Sequence, residues 1–151
     1  MSKVIFLDYD GVVNTPMWND EGTRCSFGYP HQGKVNNFQA VQWLSEFCQK
    51  FGFDIVVTST WRMDPNYKEC LINGGLRSGI NILGRTERFP DKTRGEEVQD
   101  YLDHHPEITE YFVIDDENNG MKIHGDRFIK TMTEVGFTEI EFMKMKKMML
   151  F

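Results

Sequence analysis

With 151 residues, 40% hydrophobic and 26% charged, the chain has the composition of one globular domain with enough apolar material for a core. A formal net charge of −6 argues against a general binder of nucleic acid or of membrane surfaces, while leaving room for a local basic groove. Three cysteines, Cys25, Cys48 and Cys70, share no CxxC or Cys/His spacing; this argues against a disulfide framework or structural zinc.

The first apolar run meets a charge after four residues, far short of a signal-peptide core or a membrane span. The expectation is a cytoplasmic protein with reduced thiols, no membrane association and no inferable stable protein partner. No repeat, low-complexity tract or linker divides the chain, which predicts one domain over residues 1–151.

Val4 to Leu7 is a continuous apolar run ending in acids, the pattern of a strand buried on both faces. After a Gly-, Pro- and aromatic-rich stretch to Gly33, apolar residues recur at helical spacing from Val35 to Phe51. Within that stretch, Trp18 to Pro30 reads as either a flap supplying substrate contacts or a plain loop. Gly52 closes the helix, and Phe53 to Val57 is a second buried strand ending in Thr58, Ser59 and Thr60.

Asp64-Pro65 reads as N-cap and first residue of a short helix stopping at Gly74-Gly75. Ile80 to Leu83 is a candidate third strand. Thr93 and Glu96 have capping-box spacing ahead of a helix running to Pro106, whose end carries His104 and His105 as dipole partners and not as ligands. Tyr111 to Ile114 is a fourth strand, Arg127 to Thr131 a candidate fifth, and Thr138 with Glu141 caps a Met-rich terminal helix. Strand and helix alternate throughout, which predicts an α/β fold: a mainly parallel sheet covered by helices on both faces, with ligands outside the carboxyl ends of the strands.

Three strands finish in complementary polar groups: Asp8-Tyr9-Asp10-Gly11, Thr58-Ser59-Thr60 and Asp115-Asp116. Side-chain alternation lets Asp8 and Asp10 share one side while Tyr9 takes the other, and Gly11 lets the backbone turn away. Four carboxylates converging on one crevice require raised pKa values or a neutralising cation. An all-oxygen donor set favours Mg2+, whose open positions accept water and phosphate oxygens, so a phosphorylated substrate and phosphoryl transfer follow.

Asp8-x-Asp10-Gly11 after an apolar strand, Thr58 after a second, a basic residue opening a helix and Asp115-Asp116 after a later strand resemble the haloacid dehalogenase (HAD) superfamily of phosphatases. That resemblance implies a Rossmann-like three-layer α/β/α sandwich. It implies Asp8 as the nucleophile forming an aspartyl-phosphate, and Asp10 as the acid that protonates the leaving group and then activates water. It implies that Mg2+ is held by Asp8, by the backbone carbonyl of Asp10 and by Asp116 or Asp115, of which Asp116 is preferred. Thr58 would hydrogen-bond the transferring phosphoryl group, and Arg94 would offset its charge, with Lys92 as the rival because most members carry lysine there.

Ser59 and Arg62 join Thr58 and Arg94 as substrate-binding candidates; for Arg62 the alternative is that it packs and pairs with Trp61 to hold the loop. The runs DYDGVVNT, VVTSTWR, TRGEEVQDYL and FVIDDEN, with no room for a large cap domain, look most like the HAD domains associated with Swiss Army Knife RNA-repair proteins. An uncapped crevice suits phosphomonoesters on large as well as small molecules, nucleotides and nucleic-acid ends included. The rival class of function is a non-catalytic or regulatory phosphate- or metal-binding domain on the same fold; a phosphotransferase or a dehalogenase shares the aspartate chemistry.

Overall fold

A computed structural model describes residues 2–15 and 38–150 of the chain. Five strands, β1 (Ser2–Leu7), β2 (Asp54–Val57), β3 (Ile82–Arg85), β4 (Ile108–Asp115) and β5 (Phe128–Lys130), alternate with helices α1 (Phe38–Phe51), α2 (Tyr67–Asn73), α3 (Arg94–His104) and α4 (Glu139–Met149). The sheet is parallel throughout, in the order β3-β2-β1-β4-β5. The Rossmann-like α/β reading therefore holds, and among the described residues no large cap accompanies the sheet. No described helix is long and apolar enough to cross a membrane.

Burial on both faces explains why the strands read as unbroken apolar runs. In β1, Ile5 and Leu7 enter a core shared with Leu44 and Phe47 of α1 and with Phe142 and Met145 of α4. Val4 and Phe6, one residue out of phase, enter a second core with Val98 of α3 and Met121. Period-two alternation thus assigns each residue to one of two helical layers. Both capping boxes form, at Thr93/Glu96 and Thr138/Glu141.

Two boundaries differ from expectation. Asp64 does not start α2: its N–H closes a 3-10 turn over Thr60–Met63 by bonding the Trp61 carbonyl. Its carboxylate accepts from the Asn66 N–H (2.8 Å). This local turn competes with helix, so α2 begins at Tyr67 with Asn66 at the cap. The third strand lies two residues later than Ile80 to Leu83, because pairing with β2 begins at Ile55–Ile82 and continues through a register shift to Val57–Arg85. Val35, Cys25 and the segment from Trp18 to Pro30 lie outside the described residues. Cys48 and Cys70 are both buried, and burial pushes the Cys48 thiol upward.

The densest part of the larger core is aromatic. Phe47 sits with ring centroids 4.8 Å from Phe51, 5.2 Å from Phe53, 5.8 Å from Phe112 and 6.2 Å from Phe142. It ties α1 and α4 to β4. Phe47→Ala is expected to cost about 3–5 kcal/mol through lost transfer energy and a residual cavity, read as a lower urea midpoint with an unchanged slope; an effect under about 1 kcal/mol would mean that this cluster does not organise the core.

Candidate active site at the carboxyl ends of the strands

The strand order places β1 at the centre, with the chain moving outward to β2 and β3 and then returning to the other side for β4 and β5. Ligands in such sheets bind where the order reverses, at the carboxyl ends of the strands. Asp8 leaves β1 there, Thr58 follows β2, and Asp115 ends β4 with Asp116 next to it. In-register pairing fixes the neighbours, with the Asp8 N–H on the Ile114 carbonyl (3.1 Å) and the Thr58 N–H on the Leu7 carbonyl (2.9 Å).

Asp8, Asp115 and Asp116 each offer a carboxylate oxygen, and these atoms lie within 4.8 Å of one another. Asp8 and Asp115 are buried and Asp116 half-buried. Burial, followed by the Asp115 charge, holds the Asp8 carboxyl well above its ordinary range against the opposing pull of Arg94. Burial raises Asp115 in the same way. Asp115 accepts from the Glu117 N–H at 3.0 Å, and Asp116 accepts from the Thr133 hydroxyl at 2.8 Å.

Gly11 is needed where it stands: its φ is +81°, and a Cβ there would lie 2.2 Å from Asp116 Oδ2. The loop after β1 and the acids after β4 are therefore in contact through an absent side chain. The Thr131 hydroxyl donates to the Gly11 carbonyl (2.7 Å) and fastens the same loop from β5.

Arg94 reaches into the acids, with Nη1 3.1 Å from Asp8 Oδ1 and 2.9 Å from Asp115 Oδ2. Burial by itself would lower the guanidinium; the two carboxylates outweigh it and raise it above its usual value. Lys92, the rival, turns away: its ammonium lies 3.7 Å from Asp100 Oδ1 and 4.4 Å from the centroid of Phe89. Of the two cations, Arg94 is the one brought to Asp8.

Arg94 opens α3, and the start of α3 is seated by backbone contact. A Cβ at Gly95 would lie 2.0 Å from the Gly120 carbonyl oxygen, and one at Gly120 would lie 2.0 Å from Thr93 Oγ1. The Gly95 N–H donates to the Asn119 carbonyl (2.9 Å). Buried His124 donates from Nε2 to the Gly95 carbonyl (2.9 Å), leaving Nδ1 to accept from the Tyr111 hydroxyl (2.9 Å).

Asp10 is half-buried and its carboxylate lies outside the group of three. Oδ1 accepts from the Asn14 amide at 2.9 Å and Oδ2 from the Trp61 indole N–H at 3.1 Å. The Thr58 hydroxyl is buried beside Asp8 with no hydrogen-bond partner among the described residues. The Ser59 hydroxyl oxygen caps the 3-10 turn, accepting from the Trp61 N–H at 3.2 Å.

Arg62 is not a free side chain at the mouth. It is buried, donates to the Thr58 and Ser59 carbonyls, and pairs through Nη2 with Glu97 Oε1 at 3.0 Å. Burial lowers its guanidinium, Glu97 opposes that, and Arg94 and Arg88 add to it. Through these bonds Arg62 links the loop after β2 to α3. Glu97 was missed by sequence reasoning, although a signal was present: it sits four residues before Tyr101, on the apolar stripe of α3 where a solvated acid has no place.

Comparison with curated proteins and with solved structures finds no match. A family model described as the HAD domain in Swiss Army Knife RNA repair proteins matches residues 4–142, from β1 into α4. The match takes in every strand and every acid of the cluster described above, and on it the chain belongs to the HAD-domain family found in Swiss Army Knife RNA repair proteins.

Proposed function

We propose that this domain is a Mg2+-dependent phosphohydrolase that cleaves phosphomonoesters through a phosphorylated Asp8, with nucleotides or nucleic-acid ends as its substrate class. The observation that carries this reading is the convergence of Asp8, Asp115 and Asp116 beside the Arg94 guanidinium. Membership of a phosphatase-type fold family supports it.

The residues fit the metal. The donors are hard carboxylate oxygens, and burial raises Asp8 and Asp115 although Arg94 pulls the other way. Asp8, Asp116 and the backbone carbonyl of Asp10 would hold it, with Asp115 turned to Arg94. When bound, Mg2+ supplies positive charge to the carboxylates and to the phosphoryl oxygens.

One oxygen of Asp8 attacks phosphorus, and the bond from phosphorus to the ester oxygen breaks. Asp10 delivers its proton to that oxygen, so an alcohol leaves. Water then attacks the phosphorus of the acyl phosphate and gives its proton to Asp10, and inorganic phosphate departs from a regenerated Asp8. Thr58, whose hydroxyl has no partner among the described residues, donates to a phosphoryl oxygen, and Arg94 faces the charge that develops on the group in flight. Asn14 and Trp61 hold the Asp10 carboxylate in one orientation through both exchanges.

Asp8→Asn keeps the shape and removes the nucleophile. Hydrolysis of an aryl phosphate in Mg2+ is expected to fall at least about a thousandfold, while turnover surviving the change would remove Asp8 from the role. No turnover by either protein would favour the non-catalytic phosphate- or metal-binding reading. Trp61→Phe keeps an aromatic ring but loses the donor to Asp10 along with part of the buried indole; kcat is expected to drop by about tenfold with an altered pH profile, and an unchanged profile would mean that the indole merely packs.

The acids also make stability depend on pH. A carboxyl raised in the folded state keeps a proton that the unfolded chain releases above about pH 4. The cost of burying these charges is therefore absent at acid pH and grows as pH climbs from the unfolded value toward the raised folded one. Mg2+ is expected to raise the melting temperature more at neutral pH than at about pH 5, and the metal-free Asp8→Asn protein is expected to melt no lower than its parent. A Mg2+ shift independent of pH would place the ion elsewhere.

A further inference from the structure

A second feature adjoins the acids and shares only Arg94 with the chemistry above. Between the loop after β3 and the first turn of α3 lies a cleft of about 210 Å³, lined by Thr60, Arg62, Arg88, Lys92, Arg94 and Asn119, with Glu97 as its one carboxylate. Water needs about 10–15 Å³ of such space per molecule, so the cleft has room for a tetrahedral anion and its hydration. Of its four cations, Arg62 pairs with Glu97, Lys92 with Asp100 and Arg94 with Asp8 and Asp115, which leaves Arg88 as the cation without an ion pair among the described residues. A cation left unpaired beside others attracts an anion.

The cleft is built and not merely a run of surface cations. Glu97 is buried; its Oε1 accepts from Arg62 and its Oε2 from the Phe89 N–H (2.8 Å), which anchors the turn carrying Arg88 to the floor of the cleft. The Phe89 ring sits beneath the Lys92 ammonium. The Glu97 charge is already spent on Arg62, and Arg88 has no ion-pair partner among the described residues. Arg62 retains a buried Nε–H with no acceptor. Arg94 belongs to both places, touching Asp8 on one side and lining the cleft on the other.

We propose that this cleft is a second anion subsite, taking a phosphate group of the substrate other than the one transferred, so that the preferred substrates carry two phosphates within reach of Arg94. The assignment rests on the phosphohydrolase reading. The shared chemistry is a phosphate mono- or diester close to the scissile one, whether it belongs to a small bisphosphate or to the last linkage of a nucleic-acid strand. Arg88 and Lys92 bind this group and neither meets the reacting phosphorus.

The test compares kcat/KM in Mg2+ for an aryl phosphate, a nucleoside 3′,5′-bisphosphate and a dinucleotide with a terminal phosphate, using the parent, Arg88→Ala and Arg88→Glu. Arg88 is exposed, so its replacement leaves folding intact, which the melting temperature checks. The parent is expected to prefer two-phosphate substrates, chiefly through KM. Arg88→Ala is expected to cut that preference by about tenfold and Arg88→Glu further, with aryl phosphate turnover unchanged. A larger gain with the dinucleotide identifies the strand end as the source, and an equal gain with the bisphosphate identifies the small molecule.

Aryl phosphate turnover without any two-phosphate preference, or a preference that ignores Arg88, overturns the subsite and leaves the phosphohydrolase reading standing. If no substrate turns over, inorganic pyrophosphate binding measured calorimetrically decides: weakening in Arg88→Glu supports the subsite, and equal or absent binding overturns it.

Discussion

The constraint on which this site depends is the burial of like charges. A parallel sheet delivers the ends of β1 and β4 side by side, so Asp8 and Asp115 come together whether or not their charges are welcome. Burying an unpaired carboxylate costs several kcal/mol even after the protein relaxes. One guanidinium set between the two acids offsets part of this. The third acid, Asp116, accepts from the Thr133 hydroxyl and adds its charge beside Asp8, and burial raises both Asp8 and Asp115 against the pull of Arg94. A site in this condition is primed for a hard cation, and for the anion the cation brings.

For Arg94 to act as that counter-charge it must be held to within a fraction of an ångström, and side-chain packing alone does not do this for a residue at a helix start. Here the backbone does the holding. Gly95 and Gly120 let two main chains touch where a single Cβ would force them apart, and His124 fixes the Gly95 carbonyl from the layer below. Glu97, one turn further on, ties α3 to the loop after β2 through Arg62 and to the loop after β3 through the Phe89 N–H. Breaking a buried pair such as Arg62–Glu97 on one side leaves a stranded charge, at about 3–5 kcal/mol. The pair therefore acts as a brace between the segments that carry Thr58, Arg88 and Arg94.

Much of this architecture was legible in the sequence, for a physical reason. Strands buried on both faces must be apolar throughout, so β1, β2 and β4 declared themselves, and the polar residues at which the runs stop had to lie at one edge of the sheet. Asp8, Thr58, Asp115 and Asp116 were found in that way. What escaped were contacts between residues far apart in the chain with no period to betray them: Trp61 on Asp10, His124 on Gly95, Arg62 on Glu97. Ser59 read as a hydroxyl facing substrate because a strand-end hydroxyl and a 3-10 cap have the same local signature. Asp64 misled for a related reason, since Asp before Pro begins a turn as readily as a helix, and the hydrogen bond to the Asn66 N–H decides between them.

The two charged regions gain meaning when taken together. The acids and the basic cleft share one residue, Arg94, so the site is a dipole with a hinge of fixed charge between its poles. On the proposed reading, a ligand with a single phosphate would satisfy only the acidic pole. A ligand with two would be held at both ends and oriented before any bond is broken, because the opposite orientation would leave the reacting group over Arg88 and the spectator over the carboxylates. Positioning of this kind would add no reorganisation at the reacting phosphorus. It also gives a use to Arg88, which has no ion pair among the described residues and lines the cleft next to Arg94.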